Sequence, residues 1–140
     1  MQGRFKSSFQ ATELQARTAI RVTLERLRAA GLNDDRAGDV EIALSEAVNN
    51  VVEHAYAGTE PGKVRILCSL RPQRLDIRIG DFGDPMPLER LPPGLAADLS
   101  VLRADLPEGG FGWFLVRQLT SEIRYDRCNG QNHLSLRFDL

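Results

Sequence analysis

The sequence predicts an α+β fold in which helices cover one face of a mainly antiparallel sheet. Two observations predict the sheet: apolar and polar residues alternate through residues 64–70 and 75–79, and they alternate again on both sides of Asn129-Gly130. A third observation is that segments with helical periodicity lie before and between these two pairs of strands. We therefore predict a two-layer α/β sandwich, with three helices on one face, formed by residues 1–140 as a single domain.

The first two elements are a short strand and a well-bounded helix. Residues 3–9 predict the strand, and Thr12 with Gln15 can cap a helix that runs to about Ala30 and ends at Gly31. Three arginines of this helix lie within about 40° of one another around its axis. These are Arg17, Arg21 and Arg28. A solvated helix face is one explanation of this basic stripe.

The second helix begins at Asn33 or Asp34 and ends near residues 57–58. At about 100° per residue, one side of this helix is apolar and the other is polar. The apolar residues are Leu44, Ala47, Val48, Val51 and Ala55. The polar residues are Asp39, Glu46, Asn49, Asn50, Glu53 and His54. Glu46 and Asn50 thus lie one turn apart, a spacing that suits a metal-nucleotide site, although a merely solvated face has the same pattern.

Each pair of strands is predicted to be an antiparallel hairpin. An Arg-Pro-Gln turn joins residues 64–70 to residues 75–79. In the second pair, residues 122–127 and 133–138 are joined around Asn129-Gly130, and Asn-Gly is among the strongest short hairpin signals.

Regular periodicity is lost between the two hairpins, from Gly80 to Gly109, apart from a helical patch in residues 95–102. An irregular segment of about thirty residues is uncommon in a compact domain unless it has a function such as a lid. The cluster Gly109-Gly110-Phe111-Gly112 ends this segment and opens an apolar helix from Trp113 to about Thr120.

Composition argues against several classes of partner and location. Eighteen basic and nineteen acidic residues give a formal net charge of -1. The chain therefore lacks the excess positive charge that is typical of proteins that bind nucleic acid or an anionic membrane. No apolar stretch approaches the roughly 20 residues of a membrane helix, and the N-terminal residues lack the apolar core of a signal peptide, so we expect a cytoplasmic protein. Cys68 and Cys128 have no metal-ligand spacing, and both are expected to be buried, reduced thiols.

Three motifs follow one another along the chain: Glu46 with Asn50 on a helix, Asp81-Phe82-Gly83 at a strand end, and the glycine cluster 109–112 at a helix start. In this order, with a long loop between the second and the third, they resemble the GHKL ATPase superfamily and its Bergerat, or histidine-kinase-like ATPase, fold. Four segments are similar to those of the bacterial anti-sigma-factor serine/threonine kinases. They are LSEAVNN at 44–50, EHAY at 53–56, DFGDP at 81–85 and GGFGWFLV at 109–116.

The resemblance implies roles for the helix and strand-end residues. Glu46 is at the position of the catalytic base, and a carboxylate can orient an attacking hydroxyl in phosphoryl transfer. Asn50 is at the position of the Mg2+ ligand, and Mg2+ prefers hard oxygen ligands. Asp81 is at the position that hydrogen-bonds adenine, while Gly83 lets the base approach the backbone; a turn-capping Asp is the alternative interpretation of Asp81.

The remaining candidates belong to the phosphate end of the site. Gly110 and Gly112 can expose backbone amides at a helix N-terminus, where the helix dipole also favours phosphate. Arg103 lies in the lid and can reach for the terminal phosphate, although an exposed lid arginine is also commonly solvated. His54 flanks the site, in a packing or supporting position.

The resemblance implies a kinase that binds Mg-ATP, phosphorylates an anti-anti-sigma (STAS-type) antagonist on serine or threonine, and otherwise sequesters a sigma factor. It also implies a homodimer and a first helix, with its basic stripe, that meets protein partners. The alternative is a non-catalytic partner-switching module whose nucleotide site is degenerate or does not hydrolyse ATP. The presence of Glu46 argues against that alternative, and a lid of about residues 84–108 that is hard to align argues for it.

The sequence departs from the superfamily pattern at one position, and it excludes two other classes of kinase. Pro85 stands where the superfamily usually has the second glycine of Asp-x-Gly-x-Gly, and the small anti-sigma kinases accept proline there. A eukaryotic-type protein kinase is rejected because the chain has no Val-Ala-Ile-Lys or His-Arg-Asp signature. A histidine-kinase catalytic fragment would share the pocket, but neither His54 nor His133 lies in a dimerisation helix with a phosphoacceptor context.

Overall fold

The computed structural model describes residues 2–86 and 110–140. Its strands are β1 (Gly3–Gln10), β2 (Lys63–Arg71), β3 (Arg74–Asp81), β4 (Glu122–Cys128) and β5 (Gln131–Asp139). Its helices are α1 (Glu13–Ala29), α2 (Asp34–Asn50) and α3 (Gly110–Leu119). The strands form one antiparallel sheet in the order β1-β2-β3-β5-β4. The predicted α+β fold, with a mainly antiparallel sheet and helices on one face, is confirmed.

The core lies between the helices and one face of the sheet. Alternate residues of the central strands are buried there, as the period-two pattern predicts. They include Val64, Ile66 and Leu70 of β2, Leu75, Ile77 and Ile79 of β3, and Leu134, Leu136 and Phe138 of β5. The helices contribute Leu27 from α1, Leu44 and Val48 from α2, and Trp113 and Val116 from α3. Each fully buried large apolar side chain stabilises the fold by roughly 1.5–3 kcal/mol, so this cluster fixes how the helices sit on the sheet.

The first two helices begin at the predicted caps. The Thr12 hydroxyl accepts a hydrogen bond from the Gln15 N–H at 3.3 Å, and the Asn33 side chain accepts one from the Arg36 N–H at 2.9 Å. A cap of this kind stabilises a helix by about 1 kcal/mol. After α1 the chain turns at Gly31, where φ is 110°, a conformation that glycine adopts without strain.

The end of the second helix differs from the prediction of one regular helix to residues 57–58. The α-helix ends at Asn50, and Val51–Ala55 form a π-helical turn. Such turns are rare and frequent at functional sites. The Ala55 carbonyl accepts a hydrogen bond from the Asp84 N–H at 2.6 Å, a contact from a distant part of the chain. Apolar periodicity along the helix could not indicate the wider turn, because that turn depends on tertiary contacts.

Two further predictions are corrected. Helix α3 begins at Gly110, three residues before the predicted start at Trp113, because glycines can adopt helical angles and the first N–H groups of a helix need no partner within it. Cys68 is buried, and its burial raises the pKa of the thiol to about 12. Cys128, however, is exposed, since it is the last residue of β4, beside the turn. The prediction that both thiols are buried was therefore wrong for Cys128.

The second hairpin is built as predicted. Asn129 and Gly130 both have positive φ, 52° and 76°, which is the type I′ geometry that Asn-Gly favours. The lid predicted at about 84–108, its helical patch at 95–102 and Arg103 lie outside the described residues, apart from Asp84–Met86. None of the helices in the described part of the chain has the length and apolar character needed to cross a membrane.

Candidate nucleotide-binding site

Helices α2 and α3 and the π turn between α2 and the sheet enclose a pocket of about 270 Å3. Its lining residues are Glu46, Asn49, Asn50, Glu53, His54, Gly112, Trp113 and Val116. Four of the predicted site residues, Glu46, Asn50, His54 and Gly112, therefore meet in one pocket, although His54 and Gly112 are 58 positions apart in the sequence. The polar face of α2 is the wall of a cavity.

The absence of a side chain at Gly112 leaves space for the Glu46 carboxylate. A Cβ atom at Gly112 would lie 2.6 Å from the Glu46 Oε2 atom, closer than non-bonded atoms approach. Glu46 itself is partly buried against α3. The carboxylate and the N-terminal turn of α3 are thus neighbours, and that turn presents N–H groups without helical partners and the positive end of the helix dipole. Gly110 is the first residue of this turn.

Asp81 is a buried carboxylate at the end of β3, with 4% of its surface exposed. Its Oδ1 atom accepts hydrogen bonds from the Gly83 N–H and from the Asn132 side-chain amide, both at 2.8 Å. Burial raises the pKa of Asp81, while the hydrogen bonds from Asn132 and Gly83 and the positive charge of Arg127 lower it. Asp81 is therefore a hydrogen-bond acceptor with little access to water, and a hydrogen bond from a ligand to it would be stronger than the same bond in water.

Gly83 lies against the backbone of the π turn. A Cβ atom there would be 2.1 Å from the Ala55 carbonyl oxygen and 2.5 Å from its carbonyl carbon. Tyr56, the next residue, accepts a hydrogen bond from the Phe82 N–H and donates one to the Lys63 carbonyl, each at 2.8 Å. A hydrogen bond and close backbone packing thus connect the end of β3 to the π turn and to Tyr56, which follows it.

Gly83→Ala is expected to destabilise the protein by about 1–3 kcal/mol, because the new methyl group meets rigid backbone. Chemical denaturation checks this, with Gly38→Ala as the matched control. Gly38 lies within α2, and a Cβ atom there meets nothing within 4 Å. Since Ala favours a helix over Gly by up to about 1 kcal/mol, the control should be neutral or stabilising. Equal stability of Gly83→Ala and the wild type would contradict the described packing.

Asp81 and Gly83 are outside the pocket beside Glu46 and adjoin it at the π turn. His54 lines the pocket, and its neighbour Ala55 touches Gly83. The structure therefore brings the candidates together as two adjacent groups on either side of one helical turn. Arg103 is outside the described residues. Among residues 2–86 and 110–140, no three His, Cys, Asp or Glu side chains are grouped to hold a metal ion by themselves.

Sequence reasoning missed the side chains that surround Asp81 on the neighbouring strands. They are Tyr125, Arg127 and Asn132. A signal was present for Asn132, since it occupies a core-facing position of β5 in register with Leu134, Leu136 and Phe138. A polar residue at a position that the strand pattern makes apolar indicates either a bulge or a buried polar contact.

A model of the histidine kinase-like ATPase domain matches residues 9–138 of the chain. The chain belongs to this family. Serine-protein kinase RsbW from Bacillus licheniformis is 35% identical over 113 residues, which cover 79% of this chain and 71% of the relative. RsbW from Bacillus subtilis is 33% identical over the same shares, and RsbW from Listeria monocytogenes is 31% identical over 74% of this chain and 70% of its own length.

Solved structures agree on the fold. The RsbU and RsbW domains of Rv1364c from Mycobacterium tuberculosis superpose with a TM-score of 0.68 at 22% identity, covering 97% of this chain. This chain spans only 32% of that longer protein. A chain of the SiaB-SiaC complex from Pseudomonas aeruginosa has a TM-score of 0.55 at 15% identity, covering 96% of this chain and 89% of that one. The histidine-kinase-like ATPase fold is confirmed.

The predicted resemblance to anti-sigma-factor kinases is confirmed as well, because all these sequence relatives are serine-protein kinases. The chain is an ATP-binding serine/threonine kinase of the anti-sigma type.

Proposed function

We propose that the protein binds Mg-ATP, transfers the terminal phosphate to a serine or threonine of an anti-anti-sigma antagonist, and otherwise sequesters a sigma factor. The observation that carries this proposal is the convergence of Glu46, Asn50 and Gly112 in one pocket at the start of α3. A carboxylate can position the attacking hydroxyl, an amide oxygen can bind the cation, and a helix N-terminus can bind the phosphates.

The residues present fit a magnesium ion shared with a triphosphate. The Asn50 amide lies in the pocket with the carboxylates of Glu46 and Glu53, and these are hard oxygen donors. No group in the described ranges hydrogen-bonds the Asn50 side chain, so its oxygen is available to a ligand. Asn50 would hold the ion, which when bound would neutralise negative charge on the phosphate oxygens.

In this proposal Glu46 acts as the general base. Its carboxylate takes the proton of the acceptor hydroxyl, the hydroxyl oxygen bonds to the terminal phosphorus, and the bond from that phosphorus to the bridging oxygen breaks to release ADP. Gly112 leaves room for the carboxylate, and the N–H groups at the start of α3, from Gly110 onward, would hold the phosphates. We assign Arg103 to the terminal phosphate and His54 to the pocket wall.

The adenine end of the proposed site is the group around Asp81. A buried acceptor suits the exocyclic amino group of adenine, and Gly83 brings backbone close to the base. The two adjoining groups then hold the two ends of one nucleotide.

Partner binding is assigned to the exposed side of α1. Arg17, Arg21 and Arg28 are exposed there, with Arg21 paired to Glu25 at 3.0 Å and Arg28 3.5 Å from Asp34. Such surface pairs are weak and exchange readily for charges on a partner. We also propose that the active form is a homodimer.

Asn50→Ala is expected to abolish the dependence of ATP affinity on magnesium, because the protein then loses its ligand to the ion. Calorimetry of ATP binding with and without Mg2+ measures this in the wild type and the variant. Gln118→Ala, which removes an exposed amide from α3, is the control and should behave as the wild type. Equal affinities in all four wild-type and Asn50→Ala titrations would leave only a non-catalytic binding module.

Phosphoryl transfer itself is tested with labelled ATP and a purified cognate antagonist. Label on a serine or threonine of the antagonist supports the proposal. If a preparation that binds both ATP and the antagonist transfers no label, the proposed kinase reaction is refuted.

A further inference from the structure

Asn132 is a buried polar side chain on the core-facing side of β5, with 5% of its surface exposed. In the sheet it lies opposite Asp81 of β3 and opposite Arg127 of β4. The next residues on the same side of β5, Leu134 and Leu136, are apolar and buried. A buried amide must have its hydrogen bonds made within the protein, so its partners determine what it does.

The neighbours of Asn132 fix the orientation of its amide. Its Oδ1 atom accepts from the Tyr125 hydroxyl at 2.5 Å and from the Arg127 guanidinium at 2.8 Å. Arginine can only donate, so the oxygen must face it. The Nδ2 group therefore faces Asp81, and it donates to the Asp81 Oδ1 atom at 2.8 Å.

The two oxygens of the Asp81 carboxylate differ in their hydrogen bonds within the described residues. The Oδ1 atom receives both the Asn132 amide and the Gly83 N–H. No residue in 2–86 or 110–140 donates to Oδ2. Because two donors hold one oxygen, they restrain rotation of the carboxylate and so also orient the other oxygen.

The same network holds the backbone that follows Asp81. The Asn132 Nδ2 group also donates to the Asp84 carbonyl at 2.9 Å, and Arg127 donates to the Gly83 carbonyl at 3.0 Å. The Tyr125 hydroxyl accepts from the Met86 N–H at 3.1 Å. The Asp81 carboxylate and the backbone of residues 83–86 are thus held by three side chains of β4 and β5, namely Tyr125, Arg127 and Asn132.

We infer that Asn132 is a positioning residue that presents the free Asp81 oxygen to the adenine amino group and so makes the site select adenine over guanine nucleotides. This inference rests on the proposed nucleotide site. Adenine offers an N–H donor at its exocyclic position, where guanine carries an oxygen acceptor. A carboxylate that can only accept hydrogen bonds therefore binds the amino group of adenine and repels the carbonyl oxygen of guanine.

Asn132 also favours the ionised form of Asp81. Burial raises the pKa of Asp81, and the positive charge of Arg127 on β4 opposes this shift. His133 of β5 opposes it only when protonated, and burial lowers the pKa of that imidazole. The Tyr56 hydroxyl, just after the π turn, also acts on Asp81. The hydrogen bond from Asn132 lowers the pKa. Removal of that donor raises it further, so a loss of ATP binding on acidification should begin at a higher pH.

The test compares ATP and GTP binding to Asn132→Leu by calorimetry from pH 5 to pH 8. The Leu side chain has the same branching and number of heavy atoms as Asn but no donor. We expect ATP affinity at neutral pH to fall about tenfold or more, with GTP affinity changed far less. The acidic limit of ATP binding should also move to higher pH. A purely structural role for Asn132 would weaken both nucleotides equally and leave that limit in place, which would overturn the inference.

Two further variants keep the test decisive if Asn132→Leu does not fold. Asn132→Thr suits a strand and retains a hydroxyl donor that is shorter than the amide, so ATP affinity should fall less than in Asn132→Leu but still more than GTP affinity does. Tyr125→Phe leaves the Asn132 donor in place and should alter the ATP to GTP ratio less than threefold, an estimate of about one weak hydrogen bond. An unchanged preference in Asn132→Leu, or equal losses for both nucleotides in Asn132→Thr, sinks the inference. A wild type that binds neither nucleotide instead refutes the proposed site itself.

Discussion

Replacement of Glu46 by Gln is expected to reduce phosphoryl transfer to the antagonist by about 10²–10⁴-fold, the usual contribution of a general base. Gln has the shape of Glu, so the space beside Gly112 stays filled and the pocket stays intact. What is lost is the ability to take the proton of the acceptor hydroxyl. Affinity for ATP should remain within about threefold, because the interaction is made only in the transition state.

Single-turnover transfer with labelled ATP measures this effect, and calorimetry measures the affinity separately. Glu41→Gln is the matched control, since Glu41 is an exposed carboxylate on the same helix. It should leave both quantities unchanged. Transfer by Glu46→Gln at the wild-type rate would remove Glu46 from the reaction.

Replacement of Asp81 by Asn is expected to weaken ATP binding by about 10–100-fold, which corresponds to one charge-assisted hydrogen bond. The Asn side-chain oxygen can still accept from Gly83 and Asn132, so the fold should persist. Its amide group then faces the adenine amino group, donor against donor. The turn-capping alternative, in contrast, predicts no change in affinity.

Fluorescence titration with a labelled ATP analogue, together with thermal unfolding, separates the two interpretations. Asp126→Asn on β4 provides an exposed carboxylate near the same end of the sheet as a control. Wild-type affinity in Asp81→Asn, from a folded preparation, would favour a purely structural Asp81.

Local sequence rules were sufficient for most of the fold. The strand alternation, the Thr12 and Asn33 caps and the Asn129-Gly130 turn are each properties of a few neighbouring residues, so they were correctly predicted. The apolar stripe of α2 likewise determined which side of that helix packs into the core. It also placed Glu46 and Asn50 together on the opposite side, where the pocket lies.

The features that sequence reasoning missed depend on partners far away in the chain. The π turn is tied to Asp84, and the orientation of Asn132 is set by side chains from two other strands. Exposure of Cys128 follows from its position at the edge strand beside a turn, which periodicity alone does not reveal. Hydrogen bonds between residues far apart in the chain give only a weak sequence signal, such as the single polar residue Asn132 among the apolar core-facing positions of β5.

The close approach of Gly83 to Ala55 joins the two ends of the proposed site through one short segment. Asn50 precedes the π turn and Ala55 ends it, so five residues of backbone connect the proposed cation ligand to the residue that packs against Gly83. Whatever the two ends of a nucleotide rest on in the proposed site, both depend on the geometry of this single turn.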